Sequence, residues 1–423
     1  MKKTHWFPLV LALALLASFL AGPAAVSASG PVGGTFLIAN QPVDTVYPAV
    51  AYNSQAQEYL VVWYNDRPGN DDIYGQWVSR NGTPAGPWFS IAAGVGAERR
   101  YPDVAYNVQH NEYLVVWEHY DGAWYNIHGR IVSATGGFPA GEITLGSGPA
   151  LKDCYRPAVD YAFTSDKYLV VWENHVSGGI SSDIEGQVLT GAGALQSGNF
   201  FIAQGTWSFS YERPDLAYNR RGNGYLVAWQ QLDKGSGIYD IYGRLVHGDG
   251  TPMPGSIEIM RVSSSQRNPA VAAIPTATAQ GQYLVAWELD YTPTDRDIAA
   301  RLVNGDGTVT YPTIYPSYIT GEDEVRPAVA GSESNQQYLV AWTQSTSAPA
   351  VSSIHDLAIS SGNSFLGAAT TVNGLFADHA AVASGPVGDF LVASDDPVIA
   401  ANRDVYGRFW GNRLHLPLVL KNH

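Results

Sequence analysis

Leu60-Val61-Val62-Trp63 is a run of β-favouring residues that ends on the largest side chain, and it recurs along the chain. The pattern returns at Leu114-Val115-Val116-Trp117, Leu169-Val170-Val171-Trp172, Leu226-Val227-Ala228-Trp229, Leu284-Val285-Ala286-Trp287 and Leu339-Val340-Ala341-Trp342. A worn seventh copy stands at Leu391-Val392-Ala393-Ser394. Successive tryptophans are 54, 55, 57, 58 and 55 residues apart. A steady period of this size marks a repeat architecture, in which one unit cannot bury its own apolar faces.

Two further landmarks travel with the first. Upstream lies Tyr47-Pro48-Ala49-Val50, matched by Tyr101-Pro102-Asp103-Val104, Arg156-Pro157-Ala158-Val159 and Arg213-Pro214-Asp215-Leu216. Asn268-Pro269-Ala270-Val271 and Arg326-Pro327-Ala328-Val329 follow, and the last copy is degraded to His379-Ala380-Ala381-Val382. Downstream lies Asp72-Ile73-Tyr74-Gly75, matched by Asn126-Ile127-His128-Gly129, Asp183-Ile184-Glu185-Gly186, Asp240-Ile241-Tyr242-Gly243 and Asp404-Val405-Tyr406-Gly407. Shorter traces remain at Asp297-Ile298 and Asp356-Leu357. The first unit reads as strands a, b, c and d over about Pro48–Tyr52, Glu58–Trp63, Asp72–Ser79 and Trp88–Ala92, bounded by turn residues. Asn81-Gly82, Asp249-Gly250 and Asp306-Gly307 supply the glycines that tight c–d turns need.

Stacking such four-stranded units around an axis covers both faces of each and leaves only short edges. The sequence therefore predicts an all-β fold, a seven-bladed β-propeller of four-stranded blades with repeats starting near residues 47, 101, 156, 213, 268, 326 and 379. Phe36-Leu37-Ile38-Ala39 resembles the d strand Phe200-Phe201-Ile202-Ala203, yet it precedes the first a strand. The seventh repeat has a, b and c strands but no clear d. The N-terminal strand is expected to fill that place and close the ring. The alternative is a turn at Gly411-Asn412 that lets Arg413–Leu420 supply d. Residues 1–28 read as a signal peptide, 29–410 as the propeller and 411–423 as a C-terminal tail or extra strand.

The repeat resembles those of poorly characterised exported bacterial proteins whose tandem propeller units combine a Leu-Val-Val-Trp strand with an Asp-Ile-Tyr-Gly strand. The resemblance covers about Thr35–Trp410. It implies the seven-bladed architecture and assigns no activity. The tail His415-Leu416-Pro417-Leu418-Val419-Leu420-Lys421 is similar to a short ending of some exported bacterial proteins, which implies envelope association; an ordinary terminal strand is the other reading.

Lys2 and Lys3, an apolar run from Trp6 to Leu20 and small residues at Val26-Ser27-Ala28 spell export with cleavage after Ala28. The rival reading is an uncleaved membrane anchor, but the apolar run is shorter than the roughly 20 residues of a membrane span. The expected product is secreted or held in the cell envelope, monomeric, with no transmembrane segment after signal cleavage. Cys154 is the only cysteine, so no disulfide forms within the chain and stability must come from packing. Lys plus Arg number 24 against 38 Asp plus Glu, a formal charge of −14, which argues against nucleic acid as partner.

Loop lengths separate two faces. The a–b connections, such as Asn53–Glu58 and Asn107–Glu112, are short hairpins. The b–c connections Tyr64–Asp71, Glu118–Tyr125, Glu173–Ser182, Gln230–Tyr239 and Glu288–Arg296 are longer and varied. Binding faces of repeat proteins collect variable loops. Tyr64, Tyr120, Trp124 and Tyr125 are therefore candidate ligand contacts, with a solvated rim as the plain alternative. Trp63 and its copies end apolar strands and are expected in the core. The Asp of Asp72-Ile73 is expected to hold backbone N–H groups or the Arg of an Arg-Pro step.

A second candidate group is Asp103, Asp160 and Asp215, which stand on inner strands where most repeats carry Ala. Residues two apart on a strand share a side, so three adjacent repeats aim carboxylates at the channel. Carboxylates there can hydrolyse a glycoside, hold a cation such as Ca²⁺, or simply line a wet channel. No other cofactor is expected, no catalytic residue is identified, and no His pair shows the local spacing of a zinc site. The favoured function is an exported binding or scaffold propeller that takes a glycan or a protein at the b–c loop face. The alternatives are a carbohydrate-active hydrolase or lyase with acidic residues at the central channel, and a purely structural envelope component.

Overall fold

The computed structural model describes residues 30–147, 152–176, 181–292, 295–347, 350–373, 377–397 and 402–411. The expected signal peptide and the tail from residue 412, and with it the rival closing strand Arg413–Leu420, lie outside the described residues. The described chain forms twenty-eight strands and no helix. Consecutive strands pair antiparallel in groups of four, a with b, b with c and c with d. Two of the groups are joined into one eight-stranded sheet by a single parallel bridge between Arg296 and Asp323. The architecture is that of a β-propeller.

Strand a spans Asp44–Asn53, Glu98–Asn107, Lys152–Ala162, Phe209–Asn219, Gln266–Ile274, Asp323–Ser332 and Asp378–Ser384 in successive repeats. Each packs on the a strand of the next repeat, and the last packs on the first. Strand b carries the Leu-Val-Val-Trp pattern. It is apolar without alternation because a neighbouring sheet covers each of its faces. Trp63, Trp117, Trp172, Trp229, Trp287 and Trp342 are at most 1% exposed, as expected of core residues.

Each core cluster is shared by two repeats. Trp117 meets Leu60, Val62 and Ile73 of the first repeat. Trp63 meets Leu391, Ala393 and Val405 of the last. At roughly 1.5–3 kcal/mol for each large apolar side chain removed from water, these seams hold the structure together. In three repeats the tyrosine four residues before the tryptophan adds a polar stitch: Tyr225, Tyr283 and Tyr338 donate their hydroxyls to the Lys167, Gly224 and Gln282 carbonyls of the preceding repeat, at 3.3, 3.0 and 3.0 Å.

The N-terminal strand Pro31–Ala39 pairs antiparallel with the last strand, Arg403–Trp410, setting Phe36 opposite Gly407. It lies where a d strand lies in other repeats. A Cβ at Gly407 would stand 2.7 Å from Phe36 and 2.9 Å from Ile38. The glycine of the Asp-Ile-Tyr-Gly pattern is thus space kept for the side chains that cover it. The c–d turns follow the sequence expectation, with Gly82 at a φ of 85° and Gly250 at 93°.

Candidate functional site

The a strands surround a channel of about 910 Å³. At the end where the b–c loops lie, each a strand slips its pairing with b over two residues, between Val46 and Ala49 in the first repeat and between Arg100 and Asp103 in the second. The bulged residue is left-handed every time: φ is 53° at Tyr47, 50° at Tyr101, 53° at Arg156, 52° at Arg213, 50° at Asn268, 54° at Arg326 and 43° at His379. A non-glycine residue before proline ordinarily stays extended, so something outside the strand must hold this shape.

At five of these bulges a polar side chain of the preceding repeat holds it, from the position after the tryptophan of strand b or after Ser394 in its place, while the His379 N–H donates to Asp378 Oδ1 of its own repeat at 3.0 Å. The Arg156 N–H donates to Glu118 Oε1 at 2.8 Å, Arg213 to Glu173 Oε2 at 2.7 Å, Asn268 to Gln230 Oε1 at 2.9 Å and Arg326 to Glu288 Oε1 at 2.8 Å. Asp395 Oδ2 accepts from Tyr47 at 3.1 Å across the junction of last and first repeats. Burial pushes Glu118 up to about 7. Burial also acts on Glu173, but the His175 imidazole 3.3 Å away holds it below its ordinary value.

The bulged residues line the channel mouth. Tyr47 stacks on Tyr64 with centroids 5.7 Å apart, meets Tyr101 edge-on at 4.6 Å and lies 3.6 Å from the His379 ring. The Arg156 guanidinium sits 3.8 Å over the Tyr101 ring. Arg326 is paired with Asp378. Arg213 is exposed and, among the described residues, its guanidinium has no ion pair or hydrogen bond.

Of the loop candidates, Tyr64 is corrected by the structure. It lies inside strand b, Glu58–Asp66, and is 5% exposed, because b runs on to pair Asn65 and Asp66 with Thr45 and Asp44. Tyr120 and Tyr125 do meet, at 4.8 Å, and Tyr125 continues through Tyr155 at 5.0 Å to His175 at 5.3 Å from Tyr155. Trp124 is half-buried beside them, its N–H bonded to Asp121 Oδ1 at 2.9 Å. The Asp72 carboxylate accepts from the Gly94 N–H at 3.1 Å and from Arg99 at 3.3 Å. Its arginine is thus Arg99, not one from an Arg-Pro step.

Asp103, Asp160 and Asp215 line the channel, each with an oxygen bound to the next repeat. Asp103 Oδ2 accepts from the Val159 N–H at 2.8 Å, Asp160 Oδ2 from Tyr218 at 2.6 Å and Asp215 Oδ2 from Val271 at 2.6 Å. The inner edge of strand a has no ladder partner, so its N–H groups need acceptors. Burial, with a smaller push from neighbouring aspartates, brings Asp103 and Asp215 up to about 7, and burial brings Asp160 up to about 6.

Metal-ligand atoms converge elsewhere. Among the described residues, His119, His128 and Glu142 form one such group and Asp378, His379 and Asp395 another. Both escaped the sequence reading. The lack of a locally spaced His pair misled, because pairing of neighbouring strands brings His119 and His128 together. The acceptors after tryptophan had a visible signal in Trp117-Glu118, Trp172-Glu173, Trp229-Gln230 and Trp287-Glu288.

No protein-family model and no curated protein matches this chain. Solved structures do resemble it. A protein of unknown function from Dyadobacter fermentans superposes with a TM-score of 0.55 at 12% identity, over 92% of this chain and 100% of that one. An α-L-arabinanase of Penicillium chrysogenum, complexed with arabinobiose, gives 0.49 at 12% identity over 90% and 98% of the two chains. The Dos1 propeller gives 0.47 at 8% identity over 92% and 97%. The likeness is one of fold alone.

Proposed function

We propose that this chain is an exported seven-bladed β-propeller that binds a glycan at the mouth of its channel. The blade count rests on the cycle of a-strand contacts, in which the seventh repeat packs on the first, with the N-terminal strand completing the last blade. Export rests on the pattern from Lys2 to Ala28. The binding reading rests on one observation: Tyr47, Tyr101 and His379 cluster at a mouth that also carries Arg156, Arg213 and Arg326. Aromatic rings take the apolar C–H face of a sugar. Guanidinium groups beside buried carboxylates offer donors and acceptors to hydroxyls, and the unpaired Arg213 suits a carboxylate-bearing sugar.

Screening the purified protein against neutral and acidic glycans, followed by calorimetry on the hits, tests this. Arg213→Ala is expected to weaken binding about tenfold, a loss of about 1.4 kcal/mol, without changing the melting temperature. Absence of any glycan ligand, or a footprint confined to the a–b hairpins, overturns it.

A second reading has its own observation. Burial pushes Asp103 and Asp215 up to about 7 in the channel, so each is about half protonated at neutral pH, the range in which a general acid of glycoside hydrolysis works. Turnover of a glycan that is lost in Asp103→Asn or Asp215→Asn would favour this reading.

A further inference from the structure

Away from the channel mouth, strands b, c and d of the second repeat gather three metal-ligand side chains. His119 lies near the end of b, Glu112–Tyr120; His128 lies within c, Tyr125–Ser133; Glu142 directly precedes d, Ile143–Gly146. Antiparallel pairing sets His119 opposite Asn126 and His128 opposite Trp117. The two imidazoles therefore share one side of the sheet as diagonal neighbours. Their rings stack with centroids 4.1 Å apart and planes within 7°. Glu142 Oε1 lies 2.6 Å from His128 Nδ1 and 3.9 Å from His119 Nδ1. His119 Nδ1 is buried with no hydrogen-bond partner. A buried ring nitrogen left unbonded beside a carboxylate is costly, and a cation held between them would remove the cost.

We infer that His119 Nδ1, His128 Nδ1 and Glu142 Oε1 form a binding site for a divalent transition-metal ion of the zinc class. Two imidazoles and one carboxylate suit zinc, copper or nickel, whereas calcium and magnesium take oxygen shells. One ligand atom from each of the three residues lies within 4.8 Å of the other two. Tetrahedral bonds of about 2.1 Å set donors about 3.4 Å apart, so side-chain rotations of about 1 Å close the shell. Arg130 Nη2 stands 3.5 Å from Glu142 Oε2, which leaves Oε1 for the metal. The cation beside His119, Arg99, is paired with Asp72 at 3.3 Å.

The other convergent group differs. Arg403 Nη1 lies 3.1 Å from Asp395 and 3.6 Å from Asp378, and Arg326 also pairs with Asp378. Arginines already neutralise those carboxylates, so a metal gains little there.

The test is Zn²⁺ titrated into the chelator-treated full chain, read by calorimetry and by melting temperature, with Co²⁺ absorption reporting coordination. About one Zn²⁺ per chain, a Tm rise and tetrahedral Co²⁺ bands are expected. His119→Ala and Glu142→Gln are each expected to weaken Zn²⁺ binding about tenfold or more with unchanged far-UV circular dichroism. Glu142→Gln keeps the side-chain volume and so remains informative if His119→Ala does not fold. His247→Ala, at an exposed histidine ending strand c of the fourth repeat, should leave binding unchanged. No heat and no Tm shift with Zn²⁺, or Zn²⁺ binding that survives the His119→Ala/Glu142→Gln double variant, overturns the assignment.

Discussion

Glu118 Oε1 accepts a hydrogen bond at 2.8 Å from the backbone N–H of Arg156, 38 residues later and in the next repeat. The same link joins Glu288 to Arg326, where the separation is again 38 residues. It explains how a left-handed residue persists before proline. At five of the bulges (Tyr47, Arg156, Arg213, Asn268 and Arg326) the neighbouring repeat supplies the acceptor for the exposed N–H, whereas the His379 N–H bonds Asp378 of its own repeat. The shape of the channel mouth is therefore a property of the junction between repeats.

Glu288→Ala is expected to destabilise the fold by about 2–4 kcal/mol, because it strips the acceptor from the Arg326 N–H and leaves Arg296 without its buried partner. Glu288→Gln should cost about 1 kcal/mol, since an amide oxygen fills the role. The fourth repeat already uses Gln230 in this way. Urea unfolding of both variants measures the difference. Equal losses would show that the acceptor is not what matters.

The inner aspartates set a pH dependence. Burial raises Asp103 and Asp215 to about 7 and Asp160 to about 6. In the unfolded chain an aspartate titrates near 4. Between about pH 4 and pH 7 the folded state thus binds more protons than the unfolded state, and stability falls as pH rises through that window. The melting temperature should be higher at pH 5 than at pH 7.5. An Asn variant at all three positions should flatten that slope by on the order of 1 kcal/mol per group, since an open channel screens the effect. Glu118, raised to about 7 in the same direction, leaves a residual slope. An unaltered slope in the triple variant would remove these carboxyls from the account.

The repeat and the core tryptophans were legible because a strand covered on both faces must be apolar, and Trp117 or Trp172 fills a space only a large ring can fill. Asp103 and Asp215 were legible as departures from the Ala of other repeats, but their partners were not. Val159 and Val271 lie 56 residues further on, and nothing local in the chain marks a backbone N–H as unpaired. Tyr64 was misplaced because the end of a strand depends on what pairs with it. His119 and His128 were missed because they meet across a hairpin whose register the sequence does not state.

The N-terminal strand should be needed for stability. Ile38 and Ala39 join Trp63 and Leu391 in the cluster that spans the last and first repeats, and Phe36 stacks on Phe409 with centroids 5.6 Å apart. Deleting Thr35–Asn40 uncovers that cluster and leaves the edge of Arg403–Trp410 unpaired, which invites aggregation. The expected results are a melting temperature lower by 10 °C or more, on the order of several kcal/mol at about 2–4 °C each, and oligomers on size exclusion. Deleting Leu414–His423 should have the smaller effect, and the reverse order would sink closure by the N-terminal strand.

Core and face aromatics of the second repeat should separate cleanly. Trp117 has no exposed surface, and its Nε1 has no hydrogen-bond partner to lose, so truncation removes packing and leaves a cavity. Trp117→Ala should cost about 3–5 kcal/mol in urea unfolding. Trp124 and Tyr125 are half-buried, and the bond from the Tyr125 hydroxyl to Glu98 at 3.2 Å is the main polar contact at stake. Replacing both by Ala should cost about 1 kcal/mol. If the aromatic string from Tyr120 to His175 extends the glycan site, the same double variant should weaken a glycan found by screening about tenfold. A double variant as unstable as Trp117→Ala would assign that string to packing. One that keeps full affinity would confine the ligand to the bulged residues at the channel mouth.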